Sequence, residues 1–443
     1  MKNILFTFLI LCGVSVIQAQ PLFLPPSLNT LRNDYVNGFT EYKGNFYFCG
    51  QQTNGSNSPT RDSVKGFCIK TNASGQLLQR IDLSGVLGTP YVRVEAVGHY
   101  ADHINLAGAT GFFDSLENQP HFNKVFVLRL DTNLNFNLLD TFSYGLNNST
   151  SVYTFKTEFL QNKIVMAFSS TLGWLSTGAG YSYVTIYDCN KRQFASRRID
   201  SAFINVPLYS DNNSLIGMTK HSERAVVLSV ANSYRSGTTG LSQVSSSLLL
   251  VDTTITLLER IDTLEFQPLD TFNKWPLSFV NQSLKHPVGT YFLGPVMTNG
   301  SASWLGLAKL NHRRDTVLTT RSLLPRIYTS DSFADPALKM PLLLLKNQKE
   351  IVVFGSSNHD LQVISHPINM RVAKYDTSLK LLWHRTVKGP DKTFIPFGIY
   401  ELSDNRLMVL ASAYNYTTRS TIDSNYNLLR LCPRQHWCAP KHF

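Results

Sequence analysis

The chain has 443 residues, 43% hydrophobic and 16% charged, with 27 Phe and 19 Tyr. That composition excludes a disordered chain, and its aromatic content favours strands over helices. The formal net charge is +11, but Lys and Arg are scattered. The densest clusters, Lys191-Arg192 with Arg197-Arg198 and His312-Arg313-Arg314, are too short for a nucleic-acid patch, so no nucleic-acid partner is expected.

Residues 1–19 read as a signal peptide. Lys2 gives a positive start, Ile4 to Val16 an apolar stretch, and Ala19 a small residue for cleavage before Gln20. The apolar run is too short to span a bilayer comfortably and no second run follows, so no transmembrane segment is expected. The mature protein is expected outside the cytoplasm, either secreted, periplasmic or on the cell surface. A lipid anchor at Cys12 is disfavoured, because Leu11 stands where a lipoprotein signal wants a small residue.

From residue 20 onward one pattern recurs. An alternating apolar strand ends in Asp or Asn, a short turn follows, and a second apolar stretch returns. Its turn residues are Asn72, Asp131, Asp188, Asp252, Asn311 and Asp376, with Cys432 in the seventh place. They stand about sixty residues apart, the signature of a repeat architecture. Asp and Asn suit this place because their side chains bond the turn backbone. A second motif precedes each: a polar turn leading into a strongly apolar strand, as in Gly44 to Gly50, Asp102 to Gly108, Asn162 to Ala167, Asn213 to Gly217, Gly289 to Gly294, Glu350 to Gly355 and Asn405 to Ala411. Another short strand lies before each of these, such as Phe397 to Leu402.

Each unit therefore reads as four short antiparallel strands, and no useful helical spacing appears. Four-stranded units repeated radially make an all-β fold, a β-propeller of seven four-stranded blades over residues 20–431, with a tail at 432–443. Six or eight blades, or an open sandwich or solenoid, are the alternatives. The seventh unit lacks an outer strand after Tyr426 to Leu431. The apolar segment near Leu22 to Leu24 is expected to supply it and close the ring. The stretches 51–65, 109–124, 169–181, 220–246 and 356–370 read as inserts on one face, and ligand binding is expected there or in the central channel.

These units resemble the propeller-like repeats of secreted proteins of Bacteroidota-type bacteria, through Val127 to Asp131, Arg371 to Asp376 and Asn405 to Leu410. The resemblance covers most of the mature chain. Such proteins often carry a C-terminal sorting sandwich. The chain ends too soon after Leu431 for one, so attachment by that route is not expected.

Motifs that carry chemistry are mostly absent from the sequence. There is no His-Glu-x-x-His, no Gly-x-Ser-x-Gly, no phosphate loop and no dinucleotide fingerprint. His99-Tyr-Ala-Asp102-His103 reads as a hairpin turn and not as a zinc site, and Asp131 to Asn135 reads as a blade turn and not as a calcium loop. No catalytic, cofactor-binding or metal-binding residue is assigned. Trp174, Trp275, Trp304 and Trp383 read as packing residues first and sugar platforms second. Five cysteines follow the signal segment, and the disulfide candidates are Cys49 with Cys68 and Cys432 with Cys438.

The expected function is a non-catalytic binding or scaffold module of the cell envelope or exterior, a monomer with a protein or glycan ligand. The alternative is a polysaccharide hydrolase or lyase with its site in the channel. Two or more carboxylates with an Arg or His at one channel mouth favour the enzyme; an apolar and hydroxyl lining favours the binder.

Overall fold

The structure, a computed structural model, describes residues 21–23, 32–54, 64–114, 119–143, 150–172, 180–199, 213–235, 242–262, 282–298, 302–310, 317–321, 342–356, 370–387, 392–415 and 425–431. Residues 1–19, Trp174, Trp275, Cys432 and Cys438 lie outside them. The described strands form seven four-stranded antiparallel sheets. The first blade runs Arg32–Tyr42, Asn45–Asn54, Lys65–Asn72 and Leu77–Asp82, each strand pairing with the next. A five-residue helix, Leu83–Leu87, follows it, capped by Asp82 accepting from Ser84 N–H.

The first strand of each blade is innermost. These strands are Arg32–Tyr42, Val92–Tyr100, Thr150–Leu160, Asn213–Ser222, Gln282–His286, Leu342–Leu344 and Lys392–Glu401, and each contacts the next around the ring, the seventh returning to the first. The protein is a seven-bladed β-propeller. The ring closes as the pattern predicts: Pro21–Phe23 pairs antiparallel with Asn427–Leu429, completing the seventh blade from the other end of the chain.

Apolar second and third strands bury both faces of a blade against its neighbours. Blades seven and one share Val36, Phe48, Ile69, Met408 and Leu410; blades one and two share Tyr47, Val94, Leu106 and Leu128. Blades three and four share Val165, Ile186, Leu228 and Leu249. Full burial of each such side chain contributes about 1.5–3 kcal/mol, so stability is spread around the ring. Trp383 packs in part against the core between blades six and seven, under the Lys374 ammonium at 5.8 Å.

The turn residues do what their chemistry predicts. Asp252 Oδ1 accepts from the N–H groups of Thr254 and Thr256, both at 2.8 Å. Asn72, Asp131 and Asp376 repeat this with the residues two and four places on. The residue three places on is left-handed: Gly75, Leu134, Ile255 and Leu379. A left-handed Leu or Ile is strained; here all three side chains are buried, which offsets that cost. Burial alone raises the Asp252 carboxyl, but its bonds to Thr256 and Thr254 outweigh burial and hold it below its usual range. The carboxyls of Asp131 and Asp376 are depressed too. Depressed carboxyls stabilise the fold above their unfolded pKa, and that contribution is lost as pH falls through the folded value. Asp252→Ala is therefore expected to cost about 1–2 kcal/mol at neutral pH, read as a lower urea midpoint. The difference from the parent shrinks in acid.

Blade four corrects the sequence reading. The motif Asn213 to Gly217, expected as a second strand, begins the innermost strand Asn213–Ser222. The second strand is Ala225–Arg235, inside the stretch expected as an insert. The tight turn between them is Glu223-Arg224, with no Gly, Asn or Pro to mark it.

Candidate functional site

The innermost strands surround a cavity of 590 Å³, lined by residues of blades one to four and by Tyr400 of blade seven. It opens on the face that carries the first hairpin turn of each blade, because the turn residues Ala101, Gln161 and Glu223 belong to its wall. Its size lies within the range of small-molecule sites, about 300–1,000 Å³.

Two features aim side chains into this channel. The first is a β-bulge at a similar place in five innermost strands, with register breaks at Val36/Gly38, Val94/Ala96, Val152/Phe155, Leu215/Gly217 and Pro396/Gly398. A bulge re-aims the extra residue, and the extra residues Asn37 and Glu95 line the channel. The second is repeat position. Three places before the first hairpin turn stand Thr40, Gly98, Glu158 and Lys220 in blades one to four, with Tyr400 at the matching height in blade seven. Gly98 keeps its place clear for a neighbour: a Cβ there lies 2.4 Å from the Phe159 ring of blade three.

Glu158 is the chemically distinctive member. Loss of water around its carboxyl raises its pKa to about 7, against the opposing charge of Lys220 and a hydrogen bond with the Lys220 backbone. The other carboxylates of the wall are engaged. Glu95 is ion-paired with Arg93, and Glu223 binds both the Lys220 ammonium and, at 3.1 Å, Gln161 N–H. Burial pushes the Tyr400 phenol far above its ordinary value, with Cys49 and then Glu158 adding to it, so Tyr400 keeps its proton. Its ring packs on Phe39 at 5.1 Å. His99 stacks on Tyr42 at 4.6 Å, its Nδ1 lies 3.2 Å from Thr40 Oγ1, and burial lowers its pKa.

Contacts between blades join all seven junctions at or near this rim. Tyr42 donates to Ala101 O and Asp102, both at 2.8 Å, and Tyr100 donates to Asn190 at 2.9 Å. Gln161 N–H meets Glu223, and His221 bonds the Lys285 backbone. His286 donates to Gln348 O at 2.9 Å, Lys346 N–H to Glu401 at 2.6 Å, and Ser403 N–H to Glu41 at 2.6 Å.

Cys49 and Cys68 stand directly opposite each other in the ladder, as the hairpin reading expects. The structure carries both as buried thiols and not as the expected disulfide. Burial pushes the Cys68 thiol up to about 12, and exchange requires a thiolate that this site disfavours once folded. His99 and Asp102-His103 fall at a hairpin, and no group of three metal-ligating side chains occurs among the described residues. Sequence reasoning missed Glu158, Lys220 and Tyr400. No motif joins them; only their shared place before the first turn of each blade marks them.

No family model matches the chain, and no curated protein matches it. Solved structures do. An ulvan lyase, described as a polysaccharide lyase bound to a repeat of GlcA and sulfated rhamnose, aligns over 89% of this chain and 91% of its own, with a TM-score of 0.51 and 10% identity. A second polysaccharide lyase aligns over 89% of both chains, with a TM-score of 0.50 and 11% identity. A Trypanosoma rangeli sialidase aligns over 77% of this chain and 54% of its own, at a TM-score of 0.42 and 8% identity. At these identities the likeness is one of fold. No helix among the described residues is long and apolar enough to cross a membrane.

Proposed function

We propose that this protein is an exported enzyme that cleaves an anionic, uronate-containing polysaccharide by β-elimination in the propeller channel. The observation that carries this reading is Glu158: a carboxyl in the channel wall, poised near neutrality, beside Lys220 and sharing the cavity with the protonated Tyr400. A general base works best with a pKa near the working pH. Hydrolysis of a glycosidic bond calls for two carboxyl groups flanking it. Glu95 and Glu223 are held by Arg93 and by Lys220 with Gln161, which leaves one carboxyl poised for proton transfer and favours elimination. The lining of carboxylates with His99 also favours an enzyme over a passive binder.

In this reading Glu158 takes the proton from C5 of the uronate. The electrons of the C5–H bond form a C4–C5 double bond, the C4–O bond breaks with its own pair staying on the departing oxygen, and Tyr400 gives its proton to that oxygen. Proton transfer from Glu158 back to Tyr400, directly or through water, restores both groups. Lys156 and Lys220, the latter ion-paired with Glu223, line the same cavity and add positive charge near the substrate carboxylate. The basic net charge draws such a polymer in. The likeness in fold to two polysaccharide lyases supports this reading without carrying it.

The test is a panel of uronate and neutral polysaccharides, followed by the ultraviolet absorbance of unsaturated uronate and by a reducing-end assay. The expected result is absorbance on a uronate polymer, with a rate that rises with pH through about 7 as Glu158 loses its proton. Glu158→Gln is expected to lower the rate about 100-fold or more. New reducing ends without unsaturated product, or full activity in that variant, overturns the assignment.

A further inference from the structure

We infer that the channel accepts a polysaccharide only by its end, so that cleavage proceeds from a chain terminus and not within the chain. This rests on the reading of the channel as an elimination site. Glu158 stands three residues before the turn at Gln161, and a strand rises about 3.3 Å per residue. Along its strand Glu158 is therefore set back from the rim by up to roughly 10 Å. The middle of a polymer reaches such a point only through a groove open at both sides, or through walls that part.

The described rim offers neither. Innermost strands follow one another around the whole ring, and the seventh returns to the first. Side chains join every junction between blades, including the closing one, where Glu41 accepts from both Ser403 N–H and Ser403 Oγ at 2.6 Å. Beside Glu158 the rim is held by Glu223 on Gln161 N–H and on Lys220. A cavity of 590 Å³ within this collar holds a short oligosaccharide. A chain that threads right through must also enter by an end.

The probe is one uronate polymer divided by size into long and short fractions, presented to the full protein at equal mass. End-first cleavage makes the initial rate follow the number of ends, so a tenfold shorter fraction reacts about ten times faster. One small unsaturated product accumulates early, while viscosity hardly falls. Equal rates at equal mass, with an early collapse of viscosity, overturn this inference and leave the elimination chemistry standing. A binding measurement separates the two claims where turnover is absent. Calorimetry of Glu158→Gln with both fractions is expected to saturate at one or two proteins per chain at either length. Saturation that grows with chain length overturns end-first entry; no binding to either fraction overturns it together with the proposed substrate.

Discussion

A chain shortened to begin at residue 31 is expected to melt below one that begins at Gln20, in one cooperative transition. The shorter chain lacks Pro21–Phe23, whose pairing with Asn427–Leu429 completes the seventh blade. Two or three ladder hydrogen bonds at about 1 kcal/mol each put the direct loss at about 2–3 kcal/mol. The indirect loss is larger in kind, because Asn425–Leu431 becomes an open strand edge that invites pairing with another chain. That strand backs Leu407–Asn415, whose Met408 and Leu410 pack against blade one. Loosening it therefore reaches the junction where Ser403 meets Glu41. Calorimetry and light scattering of the two chains read the effect. Equal melting temperatures, with no gain in association, mean that the ring closes without this strand.

Gly108→Ala is expected to destabilise the protein by about 3 kcal/mol, the upper part of the overpacking range, and to impair the channel as well. A Cβ at Gly108 lies 2.1 Å from the Arg93 carbonyl oxygen and 2.8 Å from the Phe126 ring. A flexible side-chain tip can yield to such a contact. This carbonyl belongs to the innermost strand of blade two, one residue before the bulge at Val94/Ala96, and Arg93 is the ion-pair partner of Glu95. Moving it shifts the bulge that presents Glu95 to the channel. Gly85→Ala is the control: nothing lies within 4 Å of a Cβ there, and an alanine in that short helix is expected to be neutral or mildly stabilising. Urea unfolding of both variants separates the outcomes. A Gly108→Ala protein as stable as the parent shows that the Arg93 strand can move aside freely.

The repeat was legible because its marks are local. Asn72, Asp131, Asp252 and Asp376 bond their own turns within four residues, so type and position together announce each hairpin. The same locality explains the error in blade four, where Glu223-Arg224 turns the chain with ordinary residues and Ala225–Arg235 passed for an insert. Ring closure was legible by elimination: the last unit lacked an outer strand, and the apolar segment near Leu22 to Leu24 had no partner.

The channel was not legible. Thr157-Glu158-Phe159 reads as any edge strand, and Glu158 becomes unusual only when Lys220, 62 residues later, and Tyr400, 242 residues later, stand around one axis. The amino-acid sequence by itself determined the strand-turn-strand unit, its number of repeats and the segment that closes the ring, since each depends on residues close in the chain or on one unpaired edge. The tertiary structure alone decided which carboxyls line the channel and which of them burial raises toward neutrality. That property depends on how much water surrounds the group and on which charges face it from other blades, and it exists only once the ring has closed.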